Sequence, residues 1–338
     1  MRVAVLGAGS WGTALATLLG RNEIEVTLAG REPQVIEDLL SRRENLTYLP
    51  GFVLPKTIHA RLLGEPLEPH DVWVLAAPSH AVGNVLSHVV GDSPSIVLAA
   101  KGLEPTSGEL LSNVVARQRP SARVSALSGP NLAVEIMRSI PTAAVVANPD
   151  LEEAELIARL FNGRHFRTYV SPDLVGVELA GALKNVLAIA GGISDGLGFG
   201  DNTKGALMAR GLLEMSRFGR IFGADQGTFF GISGVGDLFA TAQSKLSRNY
   251  RVGFGIGKGN HLSAILAEVG QVAEGVATAD AVAVLIRRHQ ISSPIFEFTD
   301  AVLKGQLTPL RGVEMLMDRL PKEEGWRELL APDPAIPT

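Results

Sequence analysis

The chain has 338 residues, 46% hydrophobic and 20% charged, which leaves room for two domain cores and excludes a disordered chain. Its 31 Lys and Arg against 35 Asp and Glu give a net charge of −4, so nothing suggests a general nucleic-acid or anionic-membrane binder, and a small anionic ligand needs a local basic site. Cysteine is absent, which excludes disulfides, thiolate catalysis and cysteine-ligated zinc and accords with a reducing cytoplasm; the seven histidines show no metal-ligand spacing.

Residues 2–6 (RVAVL) form a short apolar β-type run, residues 7–12 (GAGSWG) a turn, and residues 13–22 continue as a helix. Strand, Gly7, Gly9 and Gly12, then helix is the order that a dinucleotide fingerprint requires. Its glycines permit a tight turn and close approach of a pyrophosphate to the helix N-terminus. Two competing readings fare worse. A secretory signal would be interrupted by glycines where its apolar run should be strongest. The letters AGSWG also spell a variant nucleophile elbow, but an elbow normally follows several strands and has no use for Gly7.

Residues 24–29 (IEVTLA) read as the second strand, ending at Gly30 and Arg31. A NAD-specific site places an acidic residue about here to hold the ribose hydroxyls. Arg31 is suited to a ribose 2′-phosphate, or is an ordinary solvated arginine, and Glu32 begins the next helix. Residues 71–77 and 95–100 are continuous apolar runs of the kind that buried parallel strands show, with a helix expected over 79–90. Lys101 follows the second run, beyond the carboxyl end of a strand, where open α/β sheets bind ligands. Further strands are expected at 123–127, before the turn SGPN, and at 143–147. Strand signals stop near Pro172, which places a dinucleotide-binding domain at 1–172 and a helical domain at 173–338.

Helices are expected over 173–195, 202–222, 235–243, 249–257, 276–289, 295–304 and 309–317, followed by a proline-rich tail from 331 expected to be mobile. No apolar run after the amino terminus reads as long enough to span a membrane. The first of these helices carries Lys184 and Asn185 in an almost wholly apolar stretch. An ammonium group there must be paired or work in a cleft, and burial lowers its pKa toward neutrality, which suits proton transfer. The alternative is a lysine that snorkels from a buried face. Six glycines between 181 and 200 lower helix propensity, so this helix needs tertiary packing or a ligand. Ser247, Arg248 and Asn249 open another helix, either as an N-cap with a solvated charge or as a phosphate site of hydroxyl, guanidinium and amide.

From about residue 2 to 320 the chain resembles the bacterial type of NAD(P)-dependent glycerol-3-phosphate dehydrogenase. The resemblance rests on GAGSWGTALA at the start, YLPG (48–51), KGLE (101–104), SGP (128–130), the long motif GALKNVLAIAGGISDGLGFGDNTKGAL (181–207), GD (236–237) and SRN (247–249). Asn131 departs from the Ser or Thr common in the family, and Ala29 with Gly30 from an aromatic. The resemblance implies an α/β fold, with an N-terminal Rossmann-type doubly wound parallel sheet followed by an all-helical domain, paired as a cytoplasmic homodimer without membrane insertion. It implies reversible hydride transfer between NADPH, or NADH, and dihydroxyacetone phosphate, giving sn-glycerol 3-phosphate for glycerophospholipid synthesis. By the same resemblance Lys184 is the proton donor and acceptor, and Lys101, Gly129, Asn131, Asp237, Ser247, Arg248 and Asn249 contact substrate. Ser10, Trp11, Arg31, Tyr48, Lys101, Ala133, Arg248, Val272 and Glu274 match cofactor positions. A keto-acid reductase of the same architecture would keep the glycine turn and lysine without needing SRN. A non-catalytic NADPH sensor would tolerate loss of Lys184.

Overall fold

The computed structural model describes residues 1–89 and 93–320, so the end of the helix expected over 79–90 and the proline-rich tail lie outside the described residues. The strands are β1 (Arg2–Leu6), β2 (Glu25–Gly30), β3 (Glu44–Asn45), β4 (Leu49–Val53), β5 (Ile58–Leu62), β6 (Val72–Leu75), β7 (Ser95–Leu98), β8 (Arg123–Ser128), β9 (Thr142–Ala147) and β10 (Phe166–Ser171). Six helices accompany them: α1 (Ser10–Arg21), α2 (Pro33–Arg42), α3 (Val82–His88), α4 (Leu111–Gln118), α5 (Ala133–Met137) and α6 (Leu151–Phe161).

Eight strands form one sheet in the order β10, β9, β8, β7, β6, β1, β2, β5, while β3 and β4 pair separately. At its centre Val5 faces Leu28 of β2 and Val74 of β6. Successive residues of β1 feed cores on opposite faces, Val3 and Val5 on one and Ala4 and Leu6 on the other. Helices cover both faces, which is why the central strands read as unbroken apolar runs rather than alternating ones. The sheet is not wholly parallel, as the sequence suggested. β8 and β9 run antiparallel, and β10 follows β9 in parallel. The connection from β8 to β9 contains one short helix, the five-residue α5.

After β10 the described chain is helical: α7 (Leu174–Gly196), α8 (Asp201–Ile221), α9 (Gln226–Phe229), α10 (Asp237–Gln243), α11 (Arg248–Gly257), α12 (Leu262–Val269), α13 (Glu274–His289), α14 (Pro294–Leu303) and α15 (Pro309–Met317). The 23-residue α7 corrects one expectation, because by length and hydropathy it could cross a membrane; 89% of its most apolar window is instead buried inside the protein. It runs through the middle of the helical core and packs against α8, α10, α11, α13 and α14. Its glycines find their reason here. A Cβ on Gly192 would stand 2.2 Å from the Tyr250 carbonyl oxygen of α11, and one on Gly196 would stand 2.4 Å from that of Phe254. The two helices therefore meet backbone to backbone, at a separation that side chains would prevent. Helices α9 and α12, strands β3, β4, β5 and β10, and helices α4 to α6 were not anticipated. A π-helical turn (Ile232–Gly236) leads directly into α10.

Candidate active site

Lys184 is buried in the middle of α7 and is paired, not snorkelling. Its Nζ donates to Thr241 Oγ1 at 2.7 Å and lies 3.1 Å from Asp237 Oδ1. Lys101, just past β7, approaches the other side of the same carboxylate: its Nζ donates to Asp237 Oδ2 at 2.8 Å and to the Gly129 carbonyl at 2.7 Å. Thr241 closes the cluster by donating to Asp237 Oδ1 at 3.1 Å. Asp237 is the first residue of α10 and Thr241 lies one turn on, so the two face the same side. Burial works to raise the Asp237 pKa, but Lys101 and then Lys184 outweigh it and hold the carboxyl below its ordinary value. Burial lowers the Lys184 pKa to about 8; Asp237 opposes that shift and Lys101 adds to it. An ammonium group has three hydrogens, and among the described residues each lysine directs two at protein acceptors, leaving one for a ligand oxygen.

A run of amide hydrogen bonds fixes the rest of the site around this cluster. Asn185 Nδ2 donates to the Lys101 carbonyl at 2.9 Å, Asn249 Nδ2 donates to Asn185 Oδ1 at 2.8 Å, and Gly275 N donates to Asn249 Oδ1 at 3.0 Å. Lys184, Arg248 and Glu274 each sit one residue before a member of this run. Among the described residues Asn249 thus has one amide hydrogen left. Ser247 is the N-cap of α11, its hydroxyl accepting from Tyr250 N at 3.2 Å. Arg248 is partly buried, and among the described residues its guanidinium has no hydrogen bond or ion pair. Burial lowers its pKa and the nearby Glu274 charge raises it, but an arginine stays charged throughout. Glu274 opens α13 and accepts from Ser79 N at 2.9 Å, which ties the helical half to the turn after β6. Burial raises its pKa, against the Ser79 N–H and the Arg248 charge. Gly129 adopts a φ of +153°, with its missing Cβ against the Ala143 carbonyl. Asn131 Nδ2 donates to that carbonyl at 3.0 Å, while Asn131 Oδ1 and Ser128 Oγ are buried without a hydrogen-bond partner among the described residues.

The glycine turn fits a dinucleotide. A Cβ on Gly12 would stand 1.8 Å from the Gly7 carbonyl oxygen, whereas one on Gly9 would meet nothing within 4 Å. The turn is closed beneath and open above, at the N-terminus of α1, where a pyrophosphate belongs. Ser10 and Trp11 begin that helix. The Trp11 indole donates to the Ala99 carbonyl at 2.8 Å, and Lys101 Nζ lies 5.9 Å from its ring centre. Tyr48 donates to Glu32 Oε1 at 2.7 Å, next to the exposed Arg31. Ala133 begins α5, and Val272 is exposed just before α13. Thr241 and Asn185 escaped the sequence reading as site residues. Thr241 gave no signal beyond lying one helical turn from Asp237.

A glycine turn shaped for a dinucleotide, on a sheet joined through Lys101–Asp237 and Ser79–Glu274 to a helical core that holds a buried, paired amine, is the architecture of a nicotinamide-dependent oxidoreductase. The chain belongs to the NAD-dependent glycerol-3-phosphate dehydrogenase family, whose N-terminal region matches residues 2–154 and whose C-terminal region matches residues 173–314. It is 43% identical over 326 residues to a glycerol-3-phosphate dehydrogenase [NAD(P)+] of Desulfitobacterium hafniense, covering 96% of this chain and 93% of the relative. It is 45% identical over 325 residues to that of Pelotomaculum thermopropionicum, covering 94% and 93%. The crystal structure of glycerol-3-phosphate dehydrogenase from Coxiella burnetii superposes with a TM-score of 0.90 at 36% identity, covering 94% of this chain and 99% of that one.

Proposed function

We propose that this chain catalyses reversible hydride transfer between NAD(P)H and C2 of dihydroxyacetone phosphate, giving sn-glycerol 3-phosphate, with Lys184 as proton donor and acceptor. The observation that carries this reading is the pair of ammonium groups on Asp237, each with one hydrogen left over. Bound NAD(P)H supplies the hydride. As negative charge grows on the ketone oxygen, the remaining Lys184 N–H donates a hydrogen bond to it and then the proton. A pKa of about 8 lets the same amine recover a proton near neutrality, or take one from the alcohol in the reverse direction. Asp237 holds both lysines in place, and Thr241 fixes the direction of the Lys184 amine.

Arg248 is the group that grips the phosphate, because a guanidinium matches two phosphate oxygens at once and this one has no protein partner among the described residues. Lys101, Lys184 and Arg248 against Asp237 and Glu274 leave a local positive charge in a chain of net −4. Asn249 adds its remaining amide hydrogen, Ser247 caps the helix that presents both, and Asn131 Oδ1 with the Gly129 turn offers an acceptor to a substrate hydroxyl. On the cofactor side, Gly7, Gly9, Gly12, Ser10 and Trp11 take the pyrophosphate, Arg31 the adenosine ribose with Tyr48 beside it, and Ala133, Val272, Glu274 and Lys101 the remaining contacts. The division between dinucleotide-binding and helical domains falls at 172/173, supported by Asp173, whose side chain caps α7 through Gly176 N. The resemblance supports a cytoplasmic homodimer feeding glycerophospholipid synthesis.

The test follows nicotinamide absorbance with purified protein and dihydroxyacetone phosphate, beside unphosphorylated dihydroxyacetone and keto acids. Turnover confined to the phosphorylated ketone is expected. Equal use of dihydroxyacetone, or preference for a keto acid, overturns the substrate assignment; dinucleotide binding without any turnover favours the sensor.

A further inference from the structure

We propose that Glu32 is a specificity-determining residue for the dinucleotide and that Tyr48 is the positioning residue holding it: the anchored carboxylate favours a bare adenosine ribose and opposes a 2′-phosphate. The proposal rests on the cofactor reading above. An acidic residue in a sheet of this type normally stands at the end of the second strand. Here that end is Gly30, and a Cβ there would lie 2.6 Å from the Ala8 Cβ inside the glycine turn, so the usual position cannot carry a side chain. The next carboxylate along the chain is Glu32.

Glu32 precedes α2 in an extended conformation, in the position of an N-cap, yet its side chain makes no capping bond to that helix. Its Oε1 accepts instead from the Tyr48 hydroxyl at 2.7 Å. Tyr48 is itself fixed, its backbone N–H donating to Asn45 Oδ1 at 3.0 Å. Asn45 is buried, and its Nδ2 donates to the Ala8 carbonyl at 2.9 Å and to Thr13 Oγ1 at 2.8 Å. A continuous series of hydrogen bonds therefore runs from the glycine turn through Asn45 and Tyr48 to the Glu32 carboxylate. The acid is positioned by the same backbone that faces the pyrophosphate. Burial and the Glu32 hydrogen bond raise the Tyr48 pKa, so the phenol remains a donor throughout the physiological range.

Arg31 competes for the same ribose. Its Nε is 3.9 Å from Glu32 Oε1, and its side chain is 81% exposed, free to turn toward a 2′-phosphate. Arg31 draws that phosphate while Glu32 repels it and accepts from a 2′-hydroxyl. The two opposed charges predict that both dinucleotides bind, with a narrower preference for NADPH than Arg31 alone would give.

The experiment measures Kd for NADPH and NADH by calorimetry without substrate, at one ionic strength, for the parent, Arg31→Ala, Glu32→Gln, Tyr48→Phe and the Glu32→Gln/Tyr48→Phe double variant. In Glu32→Gln the ratio Kd(NADH)/Kd(NADPH) is expected to rise about threefold to tenfold, the scale of a partly exposed, salt-screened charge contact. Tyr48→Phe should move the ratio the same way by less, and should add nothing once Glu32 is gone, because it acts through that residue. Arg31→Ala should lower it. An unchanged ratio in Glu32→Gln, in a parent that binds dinucleotide, overturns the inference and leaves the proposed function standing. A Tyr48→Phe shift of equal size with and without the Glu32 carboxylate overturns the positioning role. A parent that binds neither dinucleotide overturns the cofactor reading and this inference together.

Discussion

Gly253 of α11 lies against the Ile189 carbonyl of α7: a Cβ on Gly253 would stand 1.9 Å from that oxygen. This contact, with those of Gly192 and Gly196, sets the distance between the helix that carries Lys184 and the helix that begins with Arg248. Gly253→Ala is expected to force the helices apart, lowering stability by roughly 1 to 3 kcal/mol and weakening dihydroxyacetone phosphate binding. Gly205→Ala is the control, since a Cβ there meets nothing within 4 Å and the position lies within α8. That substitution should stabilise by about 0.4 to 1 kcal/mol through the unfolded chain. Thermal melts of both variants beside KM decide the matter, and equal effects on stability would refute the packing argument.

Lys184→Ala is expected to fold and bind dinucleotide while turnover falls at least about a hundredfold, the scale of lost general acid catalysis. The fold should survive because Asp237 keeps its partner Lys101. The parent should show the titration directly. Ketone reduction needs the protonated amine and should decline as pH rises past about 8, whereas alcohol oxidation needs the neutral amine and should decline as pH falls below it. Normal turnover in Lys184→Ala would end the catalytic assignment, and parallel pH profiles in the two directions would remove Lys184 from the proton path.

The candidate site was legible in the sequence where it depended on one residue in an unusual setting. Lys184 stood out because an ammonium within an apolar helix requires an explanation, and the glycine turn because its spacing sits between a strand and a helix. Thr241 was invisible, since a threonine in a short helix is ordinary until Asp237 and Lys184 converge on it. The glycines of α7 announced close packing but not its partner, because Gly253 lies on a separate helix and nothing in one sequence pairs the two. Strand β10 was missed because Arg167, Tyr169 and Val170 are exposed and its residues mix polar with apolar at the edge of the sheet. The central strands, buried on both faces, were plain. The antiparallel pairing of β9 with β8 was not legible, because an apolar run does not encode strand direction.

Arg248→Ala should lower kcat/KM for dihydroxyacetone phosphate by about thirtyfold to several hundredfold, corresponding to roughly 2 to 4 kcal/mol of lost charge-assisted contact in the transition state. The partly buried guanidinium, with Glu274 as its near charge, explains why the loss should exceed that of a surface arginine. Unphosphorylated dihydroxyacetone, reacting at whatever low rate it does, should be affected much less. Unchanged efficiency toward the phosphorylated ketone would place the phosphate elsewhere.

Glu214 of α8 is buried and accepts from the backbone N–H groups of Ile295, at 3.0 Å, and Phe296, at 3.4 Å, at the start of α14. Burial raises its pKa from the ordinary 4.5 to about 8, although those N–H groups favour the charged form. Below about pH 4.5 the carboxyl is protonated whether the chain is folded or not, so it carries no charging cost. Between 4.5 and 8 the folded state holds a proton that the unfolded state has released, and stability falls as pH rises; above about 8 the full cost is present. Glu214→Gln keeps an acceptor oxygen for α14 but cannot ionise. Its melting temperature relative to the parent should therefore increase steadily from pH 5 to pH 8, whatever constant offset the amide introduces, because every other titrating group is common to both proteins. Paired melts across that range make the test, and a difference that stays flat with pH would show that Glu214 is already ionised in the folded protein at the acid end.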